Sequence, residues 1–419
     1  MTAHKKLTIG VFGFGVVGEG LYKVLQRTES LNATIKKICI KNANKPRIAP
    51  AALFTTDKNE ILNDPEINVI VEVIDDSIAA FEIVSRALKS GRATISASKK
   101  MIAEHLPELL SLQQEFNISF LYESAACASI PVIRNLEEYY DNDLLQSISG
   151  IVNGSTNFIL TKIFEDGVTF SKALLHAQQL GFAESNPDLD VLGIDAVNKL
   201  AILLVHAYGI VSQPGEVLFS GIKNIELKDA RIAAEKGWEI KLVARAVKLK
   251  DGKVTAFVLP HFVKPSSQLY FVKNEYNGVV IESSFSDEQF FYGKGAGSLP
   301  TASAVLSDIS ALSYGYRYEY KKLRYHKPSE LTNDLYLKIY ISFDEIKKIR
   351  KEEFEWIEEF YNAQDRNYLI GTIHLSKLLK NDWWKQEGIS LIALPDGIFE
   401  DVDLRNIKKR SLELAGIVG

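Results

Sequence analysis

Leu7-Thr8-Ile9-Gly10-Val11-Phe12 runs directly into Gly13-Phe14-Gly15-Val16-Val17-Gly18, and residues 19–27 then follow a helical period. An apolar strand that opens on a glycine loop and continues as a helix is the context in which this glycine spacing has a physical meaning. The first glycine permits a tight turn and the second lets a pyrophosphate approach the backbone. The third allows the helix to pack against the strand, with phosphate held at the helix N-terminus. Gly13, Phe14, Gly15, Val16, Val17 and Gly18 are therefore candidate cofactor-binding residues. The alternation continues outward: residues 35–40, 68–74, 93–96 and 118–122 read as strands, and 78–89 suits a crossover helix of a parallel sheet. The expected class is α/β, a Rossmann-type doubly wound sheet over residues 1–130.

After the second predicted strand, a site for NAD usually places an acid against the ribose 2′-hydroxyl. Residues 40–47, Ile-Lys-Asn-Ala-Asn-Lys-Pro-Arg, contain none. Lys41, Lys45 and Arg47 suit a 2′-phosphate, which favours NADP while leaving NAD possible. A solvated basic loop is the competing explanation of the same three cations.

The rest of the composition narrows the class. A chain of 419 residues, 46% hydrophobic and 24% charged, has material for two or three domains. A net charge of −4 gives no electrostatic case for nucleic acid or an anionic membrane, so the expected partners are small molecules or further copies of the chain. Cys39 and Cys127 are too few for a disulfide framework and lack companions at zinc-ligand spacing. The apolar start after His4-Lys5-Lys6 imitates a signal peptide but is interrupted by five glycines, and the apolar stretch 200–211 is too short to cross a bilayer. A cytoplasmic chain with no membrane segment is expected.

A second constellation lies at Asn153-Gly154-Ser155-Thr156-Asn157 and along 184–199, where Glu184, Asp188, Asp190 and Asp195 precede Lys199. On a helix over 190–207, Asp195 and Lys199 share a face. A surface ion pair is the ordinary fate of that spacing. The apolar neighbours from Leu200 to Val205 argue instead for burial, and a buried acid–base pair is suited to moving protons.

These blocks, together with Ser96-Ala97-Ser98-Lys99 and Tyr292-Gly293-Lys294-Gly295-Ala296-Gly297-Ser298-Leu299-Pro300-Thr301-Ala302, occur in the order seen in homoserine dehydrogenases, which the chain resembles over its first three-quarters. The 184–199 block is the specific part, because the glycine loop is shared by many dehydrogenases. The resemblance implies NAD(P)-dependent interconversion of aspartate 4-semialdehyde and homoserine, a step toward threonine and methionine. It implies Lys199 as proton donor and acceptor and Glu184, Asp190 and Asp195 as substrate-binding acids. It makes Lys99 a second active-site lysine that contacts cofactor and substrate. It also implies a monovalent cation, usually sodium, held by backbone carbonyls at Glu123, Ala126, Ala128 and Ile130, and a homodimer. Gly293, Gly295 and Gly297 would contact the cofactor, an anion-binding reading set against a simple flexible turn.

Several positions depart from the family pattern. Asp75-Asp76 and Ala128-Ser129 stand where paired glycines are usual, Ser98 where asparagine is, and Ser298 where glycine is. Two carboxylates near a phosphate-bearing ligand would repel it unless they point away. A non-catalytic NADP-binding regulatory protein is accordingly kept as the rival class.

Residues 131–300 read as an α+β substrate and dimerisation domain, with helices at 170–179 and 190–207 and strands at 241–249, 253–259 and 278–284. A helix at 301–312 returns the chain to complete the first domain through residue 320. A small α+β tail follows at 330–419, with strands at 335–341, 368–375 and 388–394 and an amphipathic helix at 343–361. It sits where relatives carry an amino-acid-binding ACT domain but lacks that domain's Asp-x-Pro-Gly turn, having Ser342-Phe343-Asp344-Glu345 instead. Trp383-Trp384 marks either an interface or the tail's own core.

Overall fold

The structure, a computed structural model, describes residues 6–142, 144–363 and 366–400. The chain divides into two compact units, one of residues up to 144 with 198–214 and 291–328, the other of 145–197, 215–290 and 329 onward.

The first unit is built on six strands: β1 (Leu7–Phe12), β2 (Ala33–Cys39), β3 (Phe54–Thr55), β4 (Val69–Glu72), β5 (Ala93–Ser96) and β6 (Phe120–Leu121). They lie in the order β3-β2-β1-β4-β5-β6, all parallel. Leu7, Ile9, Val11 and Phe12 of β1 and every residue of β4 are buried, the mark of strands covered on both faces. Successive strands run to opposite sides of β1, so the strand order reverses at the carboxyl ends of β1 and β4. Open α/β sheets take their ligands at such a point.

The second unit contains β7 (Leu145–Ile151), β8 (Leu218–Phe219), β9 (Glu239–Lys248), β10 (Val254–Val263), β11 (Tyr276–Ser283), the first half of β12 (Asp287–Lys294), β13 (Tyr336–Phe343), β14 (Phe354–Ala363), β15 (Arg366–His374) and β16 (Ile389–Phe399). They form one mixed sheet in the order β12-β11-β7-β9-β10-β16-β13-β15-β14, with β8 paired to β10. The strands of the tail thus continue the sheet of the middle segment, joined where β16 meets β10. Trp383 and Trp384 are buried with Leu218, Phe257, Leu337 and Leu391 in a single core, which decides between interface and interior for this pair.

Two expectations are corrected. Residues 343–361 are not a helix: two short 3-10 turns, Ile346–Lys348 and Lys351–Glu353, lead into β14. The register of β14 against β15 slips between Phe354 and Trp356 and again between Ile357 and Glu359. Each extra residue shifts the phase of the two-residue alternation, so a bulged edge strand carries a charge pattern that imitates a helical period. The predicted helix 190–207 is two helices, Asp188–Val191 and Ile194–Tyr208, interrupted at Gly193, whose φ is +83°.

Candidate active site

At the end of β1 the chain turns through Gly13 at φ +100°, where a β-carbon would lie 2.6 Å from the Val73 carbonyl oxygen. Gly15 is different: a β-carbon there would meet nothing within 4 Å. It precedes the ten-residue helix Val16–Leu25 and supplies no side-chain cap, so the first N–H groups of that helix open on free space. The arrangement fits a pyrophosphate. Phe14 does not face that space. It is buried and packs edge-on against Tyr22 and Phe54, with ring centroids 6.1 and 5.1 Å away.

Phe54 in turn carries the Arg47 guanidinium over its ring at 5.2 Å, which ties the basic loop after β2 to the glycine turn. Arg47 also donates to the Lys45 carbonyl at 2.6 Å, so it shapes the loop, while Lys41 and Lys45 are exposed on it. Asp75 is exposed, and Asp76 accepts from Ala79 N–H at 3.0 Å as the cap of the helix Ser77–Lys89. Asp76, one of the two carboxylates that replace glycines, is thereby committed to its own helix.

Glu72, at the carboxyl end of β4, is fully buried. It accepts from Ser96 Oγ at 2.5 Å and from Ile74 N–H at 2.7 Å. Burial raises its pKa to about 7 against those two hydrogen bonds. Ser96 Oγ accepts in turn from Ser98 N–H at 3.1 Å, just ahead of the helix Lys99–Glu104, so Glu72 and Ser96 help set where half-buried Lys99 begins.

Glu123, Ala126, Ala128 and Ile130 fall in one reversal of the chain. The short helix Ser124–Cys127 ends at Ala128, whose φ of +45° and ψ of −108° suit glycine better than alanine. Ser129 Oγ donates to the Lys294 carbonyl at 2.9 Å, and Gly293 packs on Ile130 and Ser129. The 293–297 glycine run is therefore held beside the candidate carbonyl segment. Gly295 is buried, and Gly297, at φ +119°, precedes the helix Ser298–Leu312. Ser298 Oγ donates to the Val16 carbonyl at 2.7 Å, closing this run onto the first turn of the helix Val16–Leu25. The Glu123 side chain accepts from Ile133 and Arg134 N–H, both at 2.9 Å. Its pKa rises to about 8 because it is buried and next to Asp308.

In the second unit, β7 leads to the helix Gly154–Glu165, and Asn153 uses its whole amide there. Its Oδ1 accepts from Thr156 N–H at 2.8 Å and caps the helix, while Nδ2 donates to Asp190 Oδ1 at 2.7 Å and to Asp195 Oδ2 at 2.8 Å. One side chain thus brings two of the predicted acids together. Asp195 is 4% exposed at the start of the helix Ile194–Tyr208, and Lys199, one turn later on that helix, is 6% exposed. Glu184 is exposed on the preceding loop, where Gln178 Nε2 holds its carbonyl at 2.9 Å. The sequence does not disclose the part played by Asn153. Asn-x-x-Thr after a strand is a cap signal, but it does not reveal what the remaining amide hydrogens hold.

A sheet with its glycine turn at the switch point, an uncapped helix end beside it and a buried lysine on an acid-bearing helix define a nicotinamide-dependent oxidoreductase. The family model of the homoserine dehydrogenase NAD binding domain matches residues 13–123, and that of homoserine dehydrogenase matches 131–310. Homoserine dehydrogenase of Bacillus subtilis is 32% identical over 367 residues, 83% of this chain and 84% of its own length. That of Lactococcus lactis is 35% identical, over 72% of this chain and 73% of its own. Among solved structures, a homoserine dehydrogenase from Thiobacillus denitrificans superposes with a TM-score of 0.81 at 26% identity, covering 93% of this chain and 98% of that one. A hyperthermophilic archaeal homoserine dehydrogenase mutant in complex with NADPH gives a TM-score of 0.64 at 27% identity, over 75% of this chain and 100% of its own. The chain belongs to the homoserine dehydrogenase family. The structural likeness covers 93% of the chain and so extends beyond the first three-quarters in which the motifs lie. Among the described residues, no helix is long and apolar enough to cross a membrane.

Proposed function

We propose that this chain reduces L-aspartate 4-semialdehyde to L-homoserine in amino-acid biosynthesis, with Lys199 as the proton donor and Glu184, Asp190 and Asp195 as the substrate-binding acids. The observation that carries the reading is the Asn153 amide, which holds Asp190 and Asp195 on two hydrogens of one nitrogen at 2.7 and 2.8 Å. Two carboxylates so fixed are suited to the α-ammonium group of the substrate. Lys199, buried among apolar neighbours one turn beyond Asp195, provides an ammonium that hydrogen-bonds the aldehyde oxygen, stabilises the growing alkoxide and gives it a proton. A reduced nicotinamide, when bound, supplies the hydride. Gly13 to Gly18 present helix N–H groups to its pyrophosphate, and Gly293, Gly295 and Gly297 line the returning segment. Lys99, at its helix start, contributes a second cation toward cofactor and substrate.

NADP is the preferred cofactor in this reading, supported by Lys41 and Lys45 exposed on the loop anchored through Arg47 and Phe54. A monovalent cation, sodium by preference, would be held by the carbonyls of Glu123, Ala126, Ala128 and Ile130. The backbone reversal at Ala128 supports that assignment; the carbonyls of Glu123 and Ile130 each accept one N–H, from Ala126 and Val132, and a carbonyl oxygen has a second lone pair to offer an ion. A homodimer in the cytoplasm completes the proposal, supported by exposed Phe285, Phe290 and Tyr292 around the β11–β12 edge.

The test is the fall of NADPH absorbance when aspartate semialdehyde is added, repeated with NADH. Lys199→Ala should lose about 10²–10⁴-fold in turnover, the range expected for general acid catalysis, while still binding NADPH. Normal turnover in that variant would remove Lys199 from the role. Absence of turnover in the unmodified protein, with NADPH still bound, would favour the regulatory alternative.

A further inference from the structure

Within the second unit, a cavity of about 330 Å³ lies between the turn that separates Asp190 from Asp195 and the tail. Its walls include Leu192, Ile194, Phe219, Trp384, Ile389 and Leu391. Lys223 and Lys385 also line it, and among the described residues no carboxylate does. Ser390 belongs to its wall too; this residue is 2% exposed and its hydroxyl has no hydrogen-bond partner among the described residues. A buried hydroxyl without a partner is costly unless a ligand completes it. The volume is at the small end of the range of ligand pockets.

We propose that this cavity is a binding site for a small branched aliphatic carboxylate, and that its occupation strengthens substrate binding. Lys385 is paired with Asp382 at 2.9 Å, so the apolar walls and the Lys223 ammonium are what suit a short hydrocarbon ending in an anion. An α-amino acid is disfavoured, because its ammonium would find no carboxylate in the wall. Glu226 and Glu387 line the adjoining cleft instead, and Glu226 is paired with Lys228 at 3.0 Å. A 2-oxo acid keeps the carboxylate and offers a carbonyl acceptor to the Ser390 hydroxyl.

The link to the substrate acids is one of backbone packing. Val191, Leu192 and Ile194 are cavity wall and also the turn between Asp190 and Asp195. Ile222 N–H donates to the Val191 carbonyl at 2.8 Å. Gly221 lies so close that a β-carbon on it would be 1.9 Å from that same oxygen. A ligand filling the space on the other side of this turn would hold the two acids in the arrangement Asn153 already favours. This coupling rests on the assignment of Asp190 and Asp195 to the substrate; binding in the cavity does not.

The experiment titrates 3-methyl-2-oxobutanoate, and separately L-valine with the same carbon skeleton, into the full chain by calorimetry without substrate. The oxo acid should bind saturably, and L-valine, Ser390→Val and Lys223→Met should each weaken binding about tenfold or more, the loss of a charge-assisted or buried hydrogen bond. Absence of oxo-acid binding, equal binding of L-valine, or unchanged binding in both variants would overturn the site. In the dehydrogenase assay the oxo acid should lower the semialdehyde KM about fivefold, the lower end of ordinary coupling, with unchanged kcat and no effect in Ser390→Val. Binding without a fall in KM would overturn the coupling and leave the site standing.

Discussion

Two helices of this protein begin within a few residues of a strand's end, and their first residues are used in opposite ways. The helix Val16–Leu25 starts at Gly15, with no side-chain cap and open space where a β-carbon would be. The helix Gly154–Glu165 starts at Asn153, whose Oδ1 closes the helix end and whose Nδ2 holds two carboxylates. An uncapped N-terminus keeps its N–H groups and partial positive charge for an external anion. A capped one has given up that capacity and becomes a rigid mount for other side chains. Two strand-to-helix junctions, a cradle and a scaffold, thus differ in what their first N–H groups are left to do, and the residue at the cap position is what distinguishes them.

The largest effect is expected from breaking the scaffold. Asn153→Asp replaces two donors by an acceptor facing two acids and should raise the semialdehyde KM about 100-fold or more, each charged hydrogen bond being worth about 1.5–3 kcal/mol. Asn153→Ser sharpens the comparison, since serine still caps the helix but lacks the amide hydrogens. Melting temperature should then stay near that of the parent while KM rises about 10–100-fold, and a loss of melting temperature with normal KM would reverse the assignment. In the cradle, Gly13→Ala meets both a positive φ and the Val73 carbonyl and should destabilise by about 3 kcal/mol in a denaturant titration. Gly15→Ala should fold within about 0.5 kcal/mol of the parent yet bind NADPH about tenfold more weakly, because its methyl would enter the space proposed for the phosphate.

Glu72 gives the cradle a pH signature. Its folded pKa, raised to about 7 by burial, exceeds its ordinary value of 4.5. The stability it contributes is therefore present below that ordinary value and lost as the pH climbs through 7. Glu72→Gln should flatten this decline, measured as denaturant midpoints at about pH 5 and about pH 8, and an unchanged slope would exclude Glu72 as its source. The smallest effect belongs to Ala128, held at φ +45°. Ala128→Gly should relieve the strain and raise stability by about 1 kcal/mol, read as a rise of a few degrees in melting temperature.

The chain's order of residues was enough to establish the parallel sheet, the glycine turn at its switch point and the helix that carries Asp195 and Lys199, because each rests on contacts between near neighbours: an apolar run, a turn and a four-residue spacing. What the same order could not reveal depended on partners distant in the chain. Asn153 meets Asp190 and Asp195 across 37 and 42 positions. The edge strand β14 looked helical because its bulges, set by pairing with β15, disturb the alternation by which a strand is recognised. Trp383 and Trp384 were ambiguous until the tail joined the neighbouring sheet and enclosed them. Local sequence determines conformation and periodicity; which polar group is completed by which, and which apolar face is covered, is decided only when tertiary packing brings remote segments to the distance of a hydrogen bond or a van der Waals contact.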